Sequence, residues 1–82
     1  MSEIEKKIRD IINDTLMDDM YKDAYEIIKD ENLFNFGLDS LNIVKLMIAV
    51  EDEYNIVFED NEIMSGNWKN IASIEQLIKN KI

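Results

Sequence analysis

Apolar residues recur along this chain at helical rather than strand spacing. Ile4, Ile8, Ile11, Ile12 and Leu16 mark one face and predict a helix over residues 2–17. Ser2 is placed to cap it, with Glu3 and Glu5 in the first turn, where negative charge suits the helix dipole. The clearest periodicity runs from residue 39 to 53 or 54. Ile43, Leu46, Met47, Val50 and Tyr54 form its core stripe, and Asn55, a residue tolerant of left-handed backbone, is its stop. Trp68 begins a last segment in which Ile71, Ile74, Leu77, Ile78 and Ile82 keep the same spacing. The connection over residues 18–38, about twenty residues, is long for a compact fold. Within it Tyr21, Ala24, Tyr25 and Ile28 are spaced for a short helix, and Leu33, Phe34, Phe36 and Leu38 read as anchors to the core. Ile56-Val57-Phe58 is too isolated to build a sheet, residues 59–64 suit a brief helix or turn, and Ser65-Gly66-Asn67 is a break. The predicted class is all-α: a small bundle of three main helices plus one or two short helices, in a single domain over residues 1–82.

The middle helix carries a second apolar stripe. At roughly 100° per residue, Leu41, Val44 and Ile48 fall more than about 90° from the core stripe. Asn42, Lys45, Asp52 and Glu53 fill the remaining face, and Glu51 falls in the gap between the stripes, on the side of Ser40. Two readings stand open. The 18–38 connection buries the stripe, or it is an exposed apolar strip rimmed by acids, which is how a protein-binding surface looks.

Composition narrows the function classes. An 82-residue chain, 46% hydrophobic and 33% charged, has room for a modest core and little room for a deep substrate pocket. No apolar run approaches the roughly 18 residues of a membrane span, and no signal-peptide pattern opens the chain, so a cytoplasmic location is expected. There is no His, Cys or Pro. A Ser-His-Asp arrangement and the usual zinc sites are therefore excluded, and any thioester chemistry must use a thiol that the chain does not encode. Eighteen acids against nine bases give a net charge of -9, which disfavours nucleic acid and anionic membranes and favours protein partners with basic patches. Acidity also serves solubility. The acids at Asp18-Asp19, Asp23, Asp30-Glu31 and 59–62 lack the alternating ligands and central Gly of a calcium loop. No metal is expected.

The candidate chemistry lies in Gly37-Leu38-Asp39-Ser40-Leu41, between an aromatic-rich loop and the middle helix. On these residues alone Asp39 is a good N-cap, Ser40 the first helical residue and Gly37 a loop position with positive φ. In its context the stretch resembles the phosphopantetheine attachment site of acyl and peptidyl carrier proteins. The similarity covers essentially the whole chain and is strongest over residues 33–54, with Phe34, Gly37, Asp39, Ser40 and Leu41 on the family's motif positions. The resemblance implies a non-catalytic carrier and a small helical bundle in which the serine opens the partner-recognition helix. It also implies a phosphopantetheinyl transferase that uses coenzyme A and magnesium. By the same resemblance the Ser40 hydroxyl is expected to attack the pyrophosphate of coenzyme A, breaking its P–O–P bond so that the nucleotide half leaves and phosphopantetheine stays on the serine as a phosphodiester, whose thiol then holds an acyl or aminoacyl cargo. A loading enzyme and downstream synthases are the further expected partners, met by a monomer through Asp39, Leu41, Val44, Lys45, Ile48, Glu51 and Asp52.

Departures within the family bear on the pathway. Housekeeping fatty-acid carriers usually bear acids where this chain has Asn42 and Lys45. Those residues, Trp68 and the 33–37 loop look more like stand-alone peptidyl, D-alanyl or specialised-metabolism carriers. Specialised biosynthesis of nonribosomal-peptide or polyketide type is the expectation, with a housekeeping or D-alanyl carrier as the alternative. An unmodified acidic helical adaptor is the rival of another class. Lys45 is expected to pair with acids of its own helix, such as Asp52.

Overall fold

A computed structural model describes the backbone over Met1–Ile82 and every side chain except that of Ser65. Three α-helices, α1 (Glu3–Thr15), α2 (Asn42–Tyr54) and α3 (Ile71–Lys79), are joined by segments that carry 3₁₀ turns at Ala24–Glu26, Leu33–Phe36 and Ser65–Asn67. The expected all-α class holds, and no strand occurs among the described residues.

α1 and α3 each start where a side-chain cap stands. Ser2 Oγ accepts the Glu5 N–H at 3.0 Å and so satisfies one of the amides that a first turn leaves unpaired. Asn70 does the same for Ser73 at 2.8 Å. Asn55, at φ 54°, ends α2 in left-handed backbone, as expected, and its N–H closes on the Glu51 carbonyl. α1 packs along both other helices. The core is the apolar stripe of each: Ile8, Ile11, Ile12 and Leu16 from α1, Ile43, Leu46, Met47 and Val50 from α2, Ile71, Ile74, Leu77 and Ile78 from α3. Ile82 is exposed, because α3 ends at Lys79.

Trp68 does not begin α3. It lies fully buried before the Asn70 cap, edge-on to Phe58 at 5.0 Å, with its indole N–H donated to the Glu62 carbonyl at 2.9 Å. The 56–58 run places Phe58 in the core and packs Ile56, partly buried, against it, while Val57 is exposed.

The 18–38 connection is held by backbone and by a buried charge rather than by an amphipathic helix. Leu33 N–H donates to Lys69 O at 2.7 Å and Ala72 N–H to Lys29 O at 3.0 Å, so the connection is stitched to the start of α3. Arg9, buried on α1, donates through Nη1 to the carbonyls of Ala24 and Ile27 at 2.5 and 2.6 Å. Its Nε and Nη2 meet Glu5 Oε2 at 3.2 and 3.0 Å. The predicted short helix shrinks to the Ala24–Glu26 turn. Ala24 and Ile27 face inward, while Tyr21, Tyr25 and Ile28 are exposed. The Ala24 carbonyl serves twice, accepting the Ile27 N–H at 3.3 Å within the turn as well as the Arg9 guanidinium. Of the predicted anchors, Leu33 and Leu38 are buried, Phe36 is partly buried and Phe34 stays at the surface.

Candidate functional site

The site begins with a glycine. Gly37 has φ +117°, a conformation that L side chains rarely adopt, and a Cβ there would overlap the Asp19 carbonyl oxygen. This close approach lets the chain turn from the Leu33–Phe36 turn into α2. Leu38 then drops into the core, and Asp39 precedes the turn at Ser40 and Leu41 that leads into α2 at Asn42.

Asp39 and Asn42 close on each other as a reciprocal cap. Asp39 Oδ1 accepts the N–H groups of Leu41 (2.9 Å) and Asn42 (2.8 Å). Asn42 Oδ1 accepts the Asp39 N–H at 2.7 Å, and its Nδ2 donates to Gly37 O at 3.0 Å. The pattern is that of a capping box, with Asn in the place of the usual Glu or Gln. Asn42 is 4% exposed, which corrects its expected place on the polar outer face. Ser40 stands exposed between the two brackets, and neither uses its hydroxyl.

Beside Ser40 an open apolar cleft of about 500 Å³ is lined by Phe34, Leu38, Ile43, Val44, Met47 and Ile63, with Asp39 and Ser40 at its polar edge. Ile63 comes from the segment between α2 and α3. Sequence reasoning missed its part in the site, because the contact is made across the fold and leaves no local periodic signal.

The question of the second stripe is settled by exposure: Leu41 is 83%, Val44 51% and Ile48 52% exposed. The 18–38 connection does not bury it. Lys45 lies next to this strip but pairs with Asp19 of the connection at 3.5 Å, not with an acid of its own helix. Glu51 is turned to internal use, its Oε2 accepting the Phe58 N–H at 2.9 Å. It lies eleven residues beyond Ser40, roughly 16 Å along the helix axis, so it is neither near the serine nor a free acid on the rim. Asp52 is exposed at the same far end, and Glu53 pairs with Lys7 at 3.6 Å. The structure thus brings together Asp39, Ser40, Leu41 and Val44, continues the strip to Ile48, and leaves Glu51 and Asp52 apart. Among the described residues no group of acids or other ligands could hold a metal ion.

An exposed hydroxyl clear of the cap that surrounds it, at the rim of an apolar cleft, fits a long covalently tethered group. Residues 6–78 match the family described as "Phosphopantetheine attachment site". The acyl carrier protein of Buchnera aphidicola subsp. Baizongia pistaciae is 39% identical over 79 residues, covering 96% of this chain and 95% of that protein. The D-alanyl carrier protein of Streptococcus uberis is 32% identical over 77 residues, 93% of this chain and 91% of that protein. Aminoacyl carrier protein 2 of Bradyrhizobium diazoefficiens is 28% identical over 57 residues, 70% of this chain and 64% of that protein. A chain in the crystal structure of an engineered Bradyrhizobium japonicum glycine:[carrier protein] ligase, complexed with carrier protein from Agrobacterium tumefaciens and ATP, superposes with a TM-score of 0.87 at 26% identity. That superposition covers 95% of this chain and 99% of that one. The prosthetic group is a covalently attached phosphopantetheine, and the protein is not an enzyme. The chain belongs to the phosphopantetheine-bearing carrier proteins, the family of acyl, aminoacyl and D-alanyl carriers.

Proposed function

We propose that Ser40 bears the phosphopantetheine arm and that the chain carries an aminoacyl or small acyl cargo in specialised biosynthesis. The observation that carries this reading is the exposed Ser40 hydroxyl, held at the start of α2 by a cap that does not use it. When bound, the arm supplies the thiol that this cysteine-free chain lacks. The chain's own residues present and orient. The Asp39 carboxylate is turned into the first turn of α2, where it caps rather than acting as a base. The proton leaving Ser40 Oγ on attachment therefore goes to a base of the transferase.

Leu41, Val44 and Ile48 form the docking face. An apolar strip of this exposure beside the attachment point brings a partner's binding surface next to the cargo. Lys45 and Asp19 neutralise each other beside it, so the strip lacks the run of acids that a basic partner would seek. The D-alanyl and aminoacyl carriers among the relatives, and the ligase complex among the structures, support an aminoacyl cargo activated by an ATP-using ligase. The Buchnera acyl carrier protein favours the second reading, a housekeeping fatty-acid carrier.

Two measurements test the proposal. With coenzyme A, magnesium and a broad-specificity transferase, the wild type gains the mass of the arm on the peptide containing Ser40, and Ser40→Ala gains none. Modification elsewhere, or of the alanine variant, refutes the site, and an unmodified wild type supports the adaptor reading. The modified protein is then offered amino acids with a glycine:carrier-type ligase and ATP, or malonyl groups with a fatty-acid transacylase. Efficient malonyl loading without aminoacyl loading moves the chain to housekeeping synthesis.

A further inference from the structure

The cleft beside Ser40 has one wall that α2 and the aromatic loop do not supply. Ile63 closes it from the segment between α2 and α3 and is 42% exposed there. That segment has no regular helix to fix it. What fixes Ile63 is the peptide unit before it. The Glu62 carbonyl accepts the Trp68 indole N–H at 2.9 Å and Asn67 Nδ2 at 3.3 Å. The Ile63 N–H, at the other end of the same peptide plane, donates to Glu59 O at 3.2 Å. A planar peptide held at both ends leaves the Cα of Ile63 little freedom.

The Glu62 side chain ties this unit to the end of the chain. Its Oε1 accepts both the Glu59 N–H and Lys81 Nζ at 2.8 Å. Both side chains of the Glu62–Lys81 pair are 19% exposed, unlike the largely solvated pairs at Lys6–Asp10 and Lys7–Glu53. Lys81 also lies over the Phe58 ring, 5.9 Å from its centre, and Phe58 packs on Trp68. The Glu59 N–H first and Lys81 second hold the Glu62 carboxyl below its usual range. It therefore stays ionised and paired at neutral pH.

We propose that Lys81 is a positioning residue for the carrier site: by clamping Glu62 it holds Ile63 as the far wall of the cleft at Ser40. A transferase that reaches the Ser40 hydroxyl meets the rim of this cleft. Loosening the wall weakens recognition of the carrier without touching the serine. The proposal rests on the attachment reading of Ser40 for its kinetic consequence alone, since the position of Ile63 can be observed in the unmodified protein.

The test uses the full chain with Lys81→Met, which keeps the apolar stem over Phe58, Lys81→Arg, which restores the charge, Ile63→Ala, and the Lys81→Met/Ile63→Ala double variant. Glu62→Gln is the milder companion should Lys81→Met fold poorly. The readouts are the Ile63 methyl resonances and the transferase KM and kcat for the carrier. Lys81→Met is expected to shift the Ile63 methyls and raise KM about threefold at unchanged kcat, with Lys81→Arg restoring both. The double variant should be no worse than Ile63→Ala, because Lys81 acts through that wall. Unmoved Ile63 methyls in Lys81→Met and Glu62→Gln, or KM effects that multiply in the double variant, overturn the proposal. Modification of a residue other than Ser40 would refute the attachment reading instead, and the methyl resonances would still decide the role of Lys81.

Discussion

Replacing Asn42 by Asp changes one nitrogen to oxygen and should nevertheless unfold the start of α2. Asn42 Nδ2 is the donor to Gly37 O, and a carboxylate has none to offer. The loss of that bond is about 1 kcal/mol net, and a carbonyl left unpaired adds about 1–3 kcal/mol. The new oxygen also faces the Gly37 carbonyl at close range and sets a second carboxylate against Asp39. A total of about 3 kcal/mol corresponds to a fall in Tm of roughly 12–24 °C for a chain of this size. The effect should depend on pH. The folded state disfavours the charged form of the new carboxyl, so its folded pKa is raised. The deficit is then greatest at neutral pH and narrows toward about pH 4, where the protonated acid can donate to Gly37 O again. Circular-dichroism melts of the wild type, Asn42→Asp and Asn42→Ala at the two pH values measure it. Asn42→Ala should be destabilised without the pH dependence. A Tm for Asn42→Asp within about 2 °C of wild type at neutral pH would show that the reciprocal cap does not hold the helix start.

Gly37→Ala should cost more than about 3 kcal/mol, since positive φ and the Asp19 carbonyl both oppose a Cβ; a stable, soluble variant with a wild-type melt would refute this. Val44→Arg and Ile48→Arg should leave Tm within a few degrees of wild type while weakening binding to a loading enzyme, and Leu46→Arg and Val50→Arg should lose several kcal/mol by burying an unpaired charge. Equal destabilisation of all four would contradict the exposed strip. Glu75, largely buried on α3, has its carboxyl held below the usual range by the Ser2 hydroxyl first, with Lys79 and Lys29 adding to it against the opposing effect of burial. Its contribution is present above the unfolded pKa and is lost as pH falls through the folded one, so Glu75→Gln should flatten the acid side of the wild-type Tm–pH curve. Parallel curves would refute that coupling.

The elements that were legible in the sequence are those fixed by local rules. The isoleucine stripe of α1 with Ser2 before it, the core stripe of α2 with Asn55 after it, and the Asp39 cap all depend on neighbours a few residues apart. The two stripes of α2 also followed from angle alone. What angle could not supply was the role of Asn42, because a polar residue on a helical wheel reads as solvated. The clue was present in the spacing Asp39-x-x-Asn42, a capping-box spacing with an unusual last residue. Arg9 and Glu5 were hidden for a similar reason: an i, i+4 ion pair is the ordinary furniture of an exposed face, and only the carbonyls of Ala24 and Ile27, fifteen and eighteen residues on, make it a buried one. The burial of Trp68 and the wall at Ile63 depend on contacts across the chain, beyond the reach of any periodicity.

The reciprocal cap has a consequence for how the carrier is read by others. Asp39 and Asn42 grip the backbone on either side of Ser40 and leave its oxygen without a structural duty. A group added to that oxygen therefore enters no bond on which the helix start depends. On the proposal that Ser40 bears the arm, the bare, armed and charged forms should share one backbone and nearly one stability. An enzyme cannot then distinguish them by the shape of the scaffold. It must inspect the arm and its freight directly, so the information about progress along the pathway travels on the tether, while the protein surface serves as a constant address.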